Sequence, residues 1–241
     1  MLELKNISFS ADGESGKKEI IKDISLKLNN GFVVITGPNG GGKSTLARII
    51  AGINAPTSGQ ILLDGENITA ASVTERAKKG ISFAFQQPVR FKGITVKDLI
   101  GIASGKDISI NEACDYLSQV GLCARDYIDR EVNASLSGGE LKRIEIATVL
   151  ARGTSVSIFD EPEAGIDLWS FGNLIKVFEK MRETLGGLII IISHQERILN
   201  IADEIIVVAD GKIEKQGKKE EILPELLGKA SVPCKVLTDN L

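Results

Sequence analysis

The residues Gly37, Pro38, Asn39, Gly40, Gly41, Gly42, Lys43, Ser44 and Thr45 have the types and spacing of a phosphate-binding loop, G-x-x-x-x-G-K-[ST]. Glycines let successive backbone N–H groups converge on an anion without a Cβ in the way. Those amides are also the unpaired first donors of a following helix, whose N-terminus carries a partial positive charge. Lys43 would reach terminal phosphates as a point charge, and the Ser44 hydroxyl would ligate a bridging Mg²⁺. The chemistry expected is nucleotide binding.

Two further constellations can act on such a ligand. Asp160 and Glu161 end the apolar run Val156, Ser157, Ile158, Phe159, and ligands bind at the C-terminal ends of parallel strands. Asp160 is expected to hold Mg²⁺ through water, and Glu161 to act as the general base on the attacking water. The second constellation is Leu136, Ser137, Gly138, Gly139, Glu140. Ser137 and Glu140 have capping-box spacing, which is a sufficient structural reading. It leaves Gly138 and Gly139 unexplained, because both are poor helix formers. Two glycines in a first helical turn suggest another close approach to phosphate, expected to be a nucleotide bound to a second copy of the chain.

The positioning elements follow from periodicity. Phe32 to Ile35 reads as a buried strand before the loop and Leu46 to Ala51 as the helix after it. Short apolar runs at 80–85, 156–160, 188–193 and 205–209 alternate with helical stretches, as in a parallel α/β core. Residues 2–9, 20–28 and 61–65 read as strands of an antiparallel sheet, with 11–18 a surface turn between the first two. Helical segments at 95–103 and 111–120 mark a small helical subdomain over 88–135. A helix opens at Ser137 and runs to about Arg152; Asp210 and Gly211 read as a hairpin turn, and a polar helix occupies 220–227. The expected organisation is a single domain over 1–241: a nucleotide-binding core with its antiparallel β subdomain (1–87 and 136–217), the helical subdomain, and a tail at 218–241.

Composition excludes some alternatives. A net charge of −3 offers no general footprint for nucleic acid. No apolar run reaches the length of a membrane span, and the N-terminus reads directly as strand, so a cytoplasmic location is expected. Cys114, Cys123 and Cys234 fit no metal spacing, and their odd number argues against a disulfide framework.

Taken in order, Gly37 through Thr45, Gln86, Leu136 through Glu140, Phe159 through Pro162, Asp167 and His194 resemble the nucleotide-binding subunit of ABC ATPases. The resemblance covers residues 2 to about 217 and implies a P-loop NTPase of ABC type: an α/β fold with a mixed core sheet, an antiparallel β subdomain and a helical subdomain. It also implies ATP hydrolysis with Mg²⁺, and a head-to-tail dimer of two copies around ATP. In that dimer Ser137, Gly138 and Gly139 of one copy face the nucleotide of the other. By the same resemblance Gln86 contacts Mg²⁺ and the attacking water, Asp167 couples the two sites, and His194 contacts the γ-phosphate.

The chain departs from the common pattern. Ala11 stands where many members stack adenine on Tyr, Glu140 replaces Gln, and Ala164-Gly165-Ile166-Asp167 replaces Ser-Ala-Leu-Asp. The missing aromatic and Glu140, with Lys142-Arg143, Glu145-Ile146, the run Phe83 to Val89, and Arg197-Ile198-Leu199 after His194, look like the Suf iron–sulfur cluster assembly ATPase, SufC; the run Asp160 to Asp167 is also similar, with Glu163 and Ala164 in place of the commoner Asp and Ser. That resemblance implies a SufB/SufD-like scaffold as partner. The alternative is the nucleotide-binding subunit of a membrane transporter, whose partner would be a membrane permease held in the groove near Gln86. The interval from Gln86 to Ser137 leaves no room for the long insertion of DNA-repair and chromosome ATPases.

Overall fold

The computed structural model describes residues 1–13, 16–166, 168–184 and 186–230. Its centre is a six-stranded sheet ordered β10 (Lys212–Lys218), β9 (Glu204–Ala209), β3 (Gly31–Thr36), β8 (Leu188–Ile192), β7 (Val156–Asp160) and β6 (Ile81–Ala84). All neighbours run parallel except β10, which folds back on β9. Strands β7 and β8 are buried along their whole length. Parallel strands are covered on both faces, so they read as continuous apolar runs without alternation.

Successive side chains of β3 divide the core into two layers. Phe32 and Val34 point into the layer formed with α6 (Gly138–Arg152) and α7 (Leu168–Thr184), where Phe178 meets Phe32 and Phe159 edge to face at 6.2 and 5.2 Å. Val33 and Ile35 point into the other layer, with α1 (Lys43–Ala51) and the antiparallel sheet. Each fully buried Ile or Phe contributes about 1.5–3 kcal/mol relative to exposure, so two packed layers hold the strand ends rigidly in place.

The antiparallel sheet is ordered β2 (Gly16–Leu28), β1 (Leu2–Gly13), β4 (Ser58–Leu63) and β5 (Glu66–Asn67). The stretch 11–18, expected as a surface turn, lies largely in strands β1 and β2. Residues 11–18 are not simply a turn: Ala11 pairs with Lys18 and Asp12 with Lys17, so both strands continue toward the hairpin tip. Backbone ladder bonds need no apolar side chains, and a polar composition therefore hides a strand whose faces are both solvated.

Residues 96–127 carry α3 (Val96–Ser104), α4 (Ile110–Gln119) and the short α5 (Ala124–Tyr127), packed against α6. Thr95 and Ser109 each close a capping box with the acid three residues on. The helix α2 (Val73–Lys78) was not expected, nor was α5. Arg76 on α2 is 1% exposed and donates to the carbonyls of Ile49, Ile50, Thr69 and Ala71 at 2.7 to 3.1 Å. It thereby satisfies the orphan acceptors at the end of α1, the helix that begins at the phosphate loop. The remaining helices are α8 (Glu196–Asn200) and α9 (Lys219–Ala230).

Candidate nucleotide-binding site

The loop between β3 and α1 crosses close over β9. Gly37 has φ 131°, and a Cβ there would collide with the Val208 carbonyl oxygen. The left-handed Gly42 is the N-cap of α1 and offers no side-chain acceptor, so the first amides of α1 keep their capacity for an anion. Lys43 is 5% exposed; its Nζ donates to the carbonyls of Gly37 and Pro38 at 2.9 Å each. An ammonium has three donors, so one remains for a phosphate oxygen. Burial lowers the Lys43 pKa, while Glu161 and Asp160 oppose the shift.

Beside the loop lies a cleft of about 660 Å³ whose lining includes Lys43, Ser44, Thr45, Gln86 and Glu161. Ser44 Oγ donates to Asp160 Oδ1 at 2.8 Å, and the buried Asp160 Oδ2 has no partner among the described residues. Burial raises the Asp160 pKa, partly offset by Ser44. A hydroxyl, a buried carboxylate and an orphaned oxygen form a hard donor set that fits Mg²⁺ completed by phosphate oxygens and water. Gln86 Nε2 donates to Glu161 Oε2 at 2.5 Å. Glu161 has φ 45°, a conformation costing a residue with a side chain about 1–2 kcal/mol. Its own N–H is held by the Ile192 carbonyl at 3.0 Å, which fixes the turn out of β7.

Not every expected residue joins this cleft. His194 is exposed and lies in a neighbouring groove of about 450 Å³ on the far side of Gly37 and Pro38. Its pKa is lowered, first by desolvation and then by the charge of Lys43, with Glu161 opposing. Ser137, Gly138 and Gly139 form the start of α6 and do not line the phosphate-loop cleft. A Cβ on Gly139 would meet nothing within 4 Å. The capping box is complete: Ser137 Oγ accepts the Glu140 N–H at 3.3 Å and Glu140 accepts the Ser137 N–H at 2.6 Å. Glu140 also accepts the Tyr127 hydroxyl at 2.5 Å, with Arg130 at 3.8 Å, and its pKa falls to about 2. Asp167 lies outside the described residues.

Several residues at the site were not singled out from sequence. Lys18 and Lys22 of β2 also line the cleft. Gly211, read only as a hairpin turn, donates to the Gly41 carbonyl at 3.0 Å and accepts the Lys22 N–H at 2.8 Å. It joins the two sheets to the loop. Ser193 is buried and donates to Glu163 at 2.5 Å while accepting the Gln195 N–H, which pins the turn carrying His194. Glu163 carries a sequence signal only as a departure from the Suf pattern, and Ser193 only as the residue before His194.

A family profile described as ABC transporter matches residues 21–164. An uncharacterized ABC transporter ATP-binding protein of Methanocaldococcus jannaschii is 37% identical over 86% of this chain and 86% of its own. The spermidine/putrescine import ATP-binding protein PotA of Mesoplasma florum is 33% identical over 93% of this chain and 63% of its own. Among solved structures, a dimeric ATP-binding cassette in a post-hydrolysis state bound to ADP and Pi superposes with a TM-score of 0.82 at 25% identity, covering 91% of this chain and 99% of that one.

The chain therefore belongs to the ABC transporter ATPase family, whose members bind and hydrolyse ATP. Its fold is the ABC ATPase fold, as expected. The finer expectation of a Suf ATPase is not carried by these relatives, which are named for transporters. Among the described residues, no helix is long and apolar enough to cross a membrane.

Proposed function

We propose that this chain is the ATP-hydrolysing subunit of a membrane transporter, working as a head-to-tail pair of copies around two ATP molecules. The observation carrying this reading is the Gln86 loop. Gln86 reaches Glu161 in the nucleotide cleft, and the adjoining Phe85 is 38% exposed at the rim of an apolar groove of about 230 Å³. One short segment thus faces both the reacting phosphate and a surface suited to a partner's apolar helix. The transporter names of the relatives support a permease as that partner.

Each residue has a role in this proposal. The loop from Gly37 to Thr45 cradles the phosphates, with Lys43 on their terminal oxygens. Ser44 and Asp160, with Gln86, hold Mg²⁺, which supplies charge neutralisation on the phosphates when bound. Glu161 accepts a proton from the attacking water, Gln86 orients that water, and His194 senses the γ-phosphate. Ser137, Gly138 and Gly139 close on the nucleotide of the other copy, and Asp167 couples the two sites. Closure moves the helical segment, whose Ala103 forms part of one wall of the groove.

A second reading keeps this chemistry and replaces the permease with a SufB/SufD-like scaffold. It is favoured by Ala11 in place of a stacking aromatic and by Glu140 with Lys142 and Arg143 after the signature glycines.

The proposal is tested with Glu161→Gln. Loss of the general base should lower kcat on the order of a hundredfold or more, while ATP and Mg²⁺ convert the variant to a stable dimer on size exclusion. Undiminished hydrolysis would remove Glu161 from the role of base.

A further inference from the structure

Lys142 lies five residues beyond the Ser137 cap, about 7.5 Å along α6, and its side chain is 1% exposed. A buried ammonium needs a partner for each of its three donors. It finds them in the Phe85 carbonyl, the Gln86 carbonyl at 3.1 Å and Glu145 Oε2 at 3.2 Å. Glu145 stands one turn further on the same helix face, and its other oxygen accepts the Phe85 N–H at 2.9 Å. Burial raises the Glu145 pKa and Lys142 draws it back.

Beyond Ala84 the chain leaves β6, so the sheet no longer dictates its path. The N–H and carbonyl of Phe85 and the carbonyl of Gln86 are instead held by two side chains of α6. The next contact outward is Gln86 Nε2 on Glu161. A buried ion pair is weak evidence for stability, because apolar residues of similar volume often serve as well. Here both partners spend their capacity on the main chain of one loop, the loop that orients the proposed catalytic water.

We propose that Lys142 and Glu145 are positioning residues for hydrolysis: they lock the Phe85–Gln86 main chain to the helix headed by Ser137, and so set Gln86 against Glu161. The inference rests on the reading of Glu161 and Gln86 as the hydrolytic pair. On that reading, a shift of α6 as Ser137 meets the other copy's nucleotide is delivered to Gln86 through this clamp, without passing through the phosphate loop.

The experiment compares wild type, Lys142→Met and the double variant Lys142→Met/Glu145→Gln, which keeps an acceptor for the Phe85 N–H and leaves no unpaired buried charge. Each is measured for melting temperature, ATP affinity by calorimetry, kcat across Mg²⁺ concentration, and amide hydrogen exchange at residues 85–87. Misplacing a reacting group by about 1 Å costs on the order of a hundredfold. Expected is a tenfold to hundredfold fall in kcat for both variants, with ATP affinity within about threefold of wild type and faster exchange at Phe85 and Gln86. A folded variant with wild-type kcat, or one whose kcat and ATP affinity fall together, overturns the proposal. Its failure is separable from failure of the underlying reading: if Glu161→Gln still hydrolyses ATP the catalytic assignment falls, whereas if Glu161→Gln is inactive and the Lys142 variants are fully active, only the clamp falls.

Discussion

Lys43 shows how much of the site depends on one buried charge. Its ammonium is held over the phosphate loop by two carbonyls, and both Asp160 and Glu161 lie close enough to favour its charged form. Charge-assisted hydrogen bonds are worth about 1.5–3 kcal/mol each. Lys43→Ala is accordingly expected to weaken ATP binding on the order of tenfold to a hundredfold, read by calorimetry on a variant whose melting shows it folded. Glu161 illustrates a cost carried at the same scale. Its left-handed backbone is unfavourable, and it is held where the chain leaves β7 by the bond from its N–H to the Ile192 carbonyl at the end of β8. Neither the conformation nor the Gln86 contact follows from the local sequence, since both depend on a strand and a loop far away along the chain.

At the scale of elements, α6 is the helix on which the proposed dimer contact and the clamp on Gln86 both depend. Its start is anchored by Glu140, which closes the capping box and accepts from Tyr127 across the helical segment. The Tyr127 hydroxyl bond first, and the Ser137 cap after it, hold the Glu140 pKa at about 2, below the ordinary 4.5. A depressed carboxylate contributes stability that is complete above about pH 4.5 and is lost as pH falls from there toward 2. Glu140→Gln should therefore melt below wild type at neutral pH, with the gap closing across that acid window in a series of thermal melts. A constant gap down to pH 2 would show that the charge of Glu140 has no part in the anchor. The capping box itself was readable from the S-x-x-E spacing. The Tyr127 contact was not, because it joins α6 to a four-residue helix that has no periodicity to detect.

At the scale of the whole molecule, the nucleotide cleft opens between two sheets, and the apolar groove lies on the other side of the Gln86 loop. Val73 on α2 is 48% exposed at that groove. Affinity capture from the native cell should recover a membrane permease in detergent if the transporter reading holds, and a soluble scaffold without detergent if the Suf reading holds. In either case Val73→Asp should lower recovery by about tenfold, since a charge placed in an apolar contact costs more than about 1.4 kcal/mol. Recovery unchanged by that substitution would move the partner surface away from the groove.

The sequence by itself determined the nucleotide chemistry. A phosphate loop, a carboxylate pair ending an apolar strand and a capped Gly-Gly helix start are local patterns, and each is fixed by residue type and spacing over a few positions. The central strands were equally legible, because burial on both faces leaves an unbroken apolar run. Only the tertiary structure decided that Lys18, Lys22 and Gly211 line the cleft, that Ser193 and Glu163 pin the turn at His194, and that Lys142 and Glu145 govern the path of Gln86. Lys142, Glu145 and Glu163 enter the sequence reading only through a family resemblance, with no contact implied, since a polar side chain in a solvated hairpin or a Lys-Glu pair on a helix looks like surface until folding brings a distant backbone against it. The physical reason is the range of the interactions: spacing encodes contacts within a turn or a strand, whereas a buried charge acquires its meaning from whichever loop the packed core delivers to it.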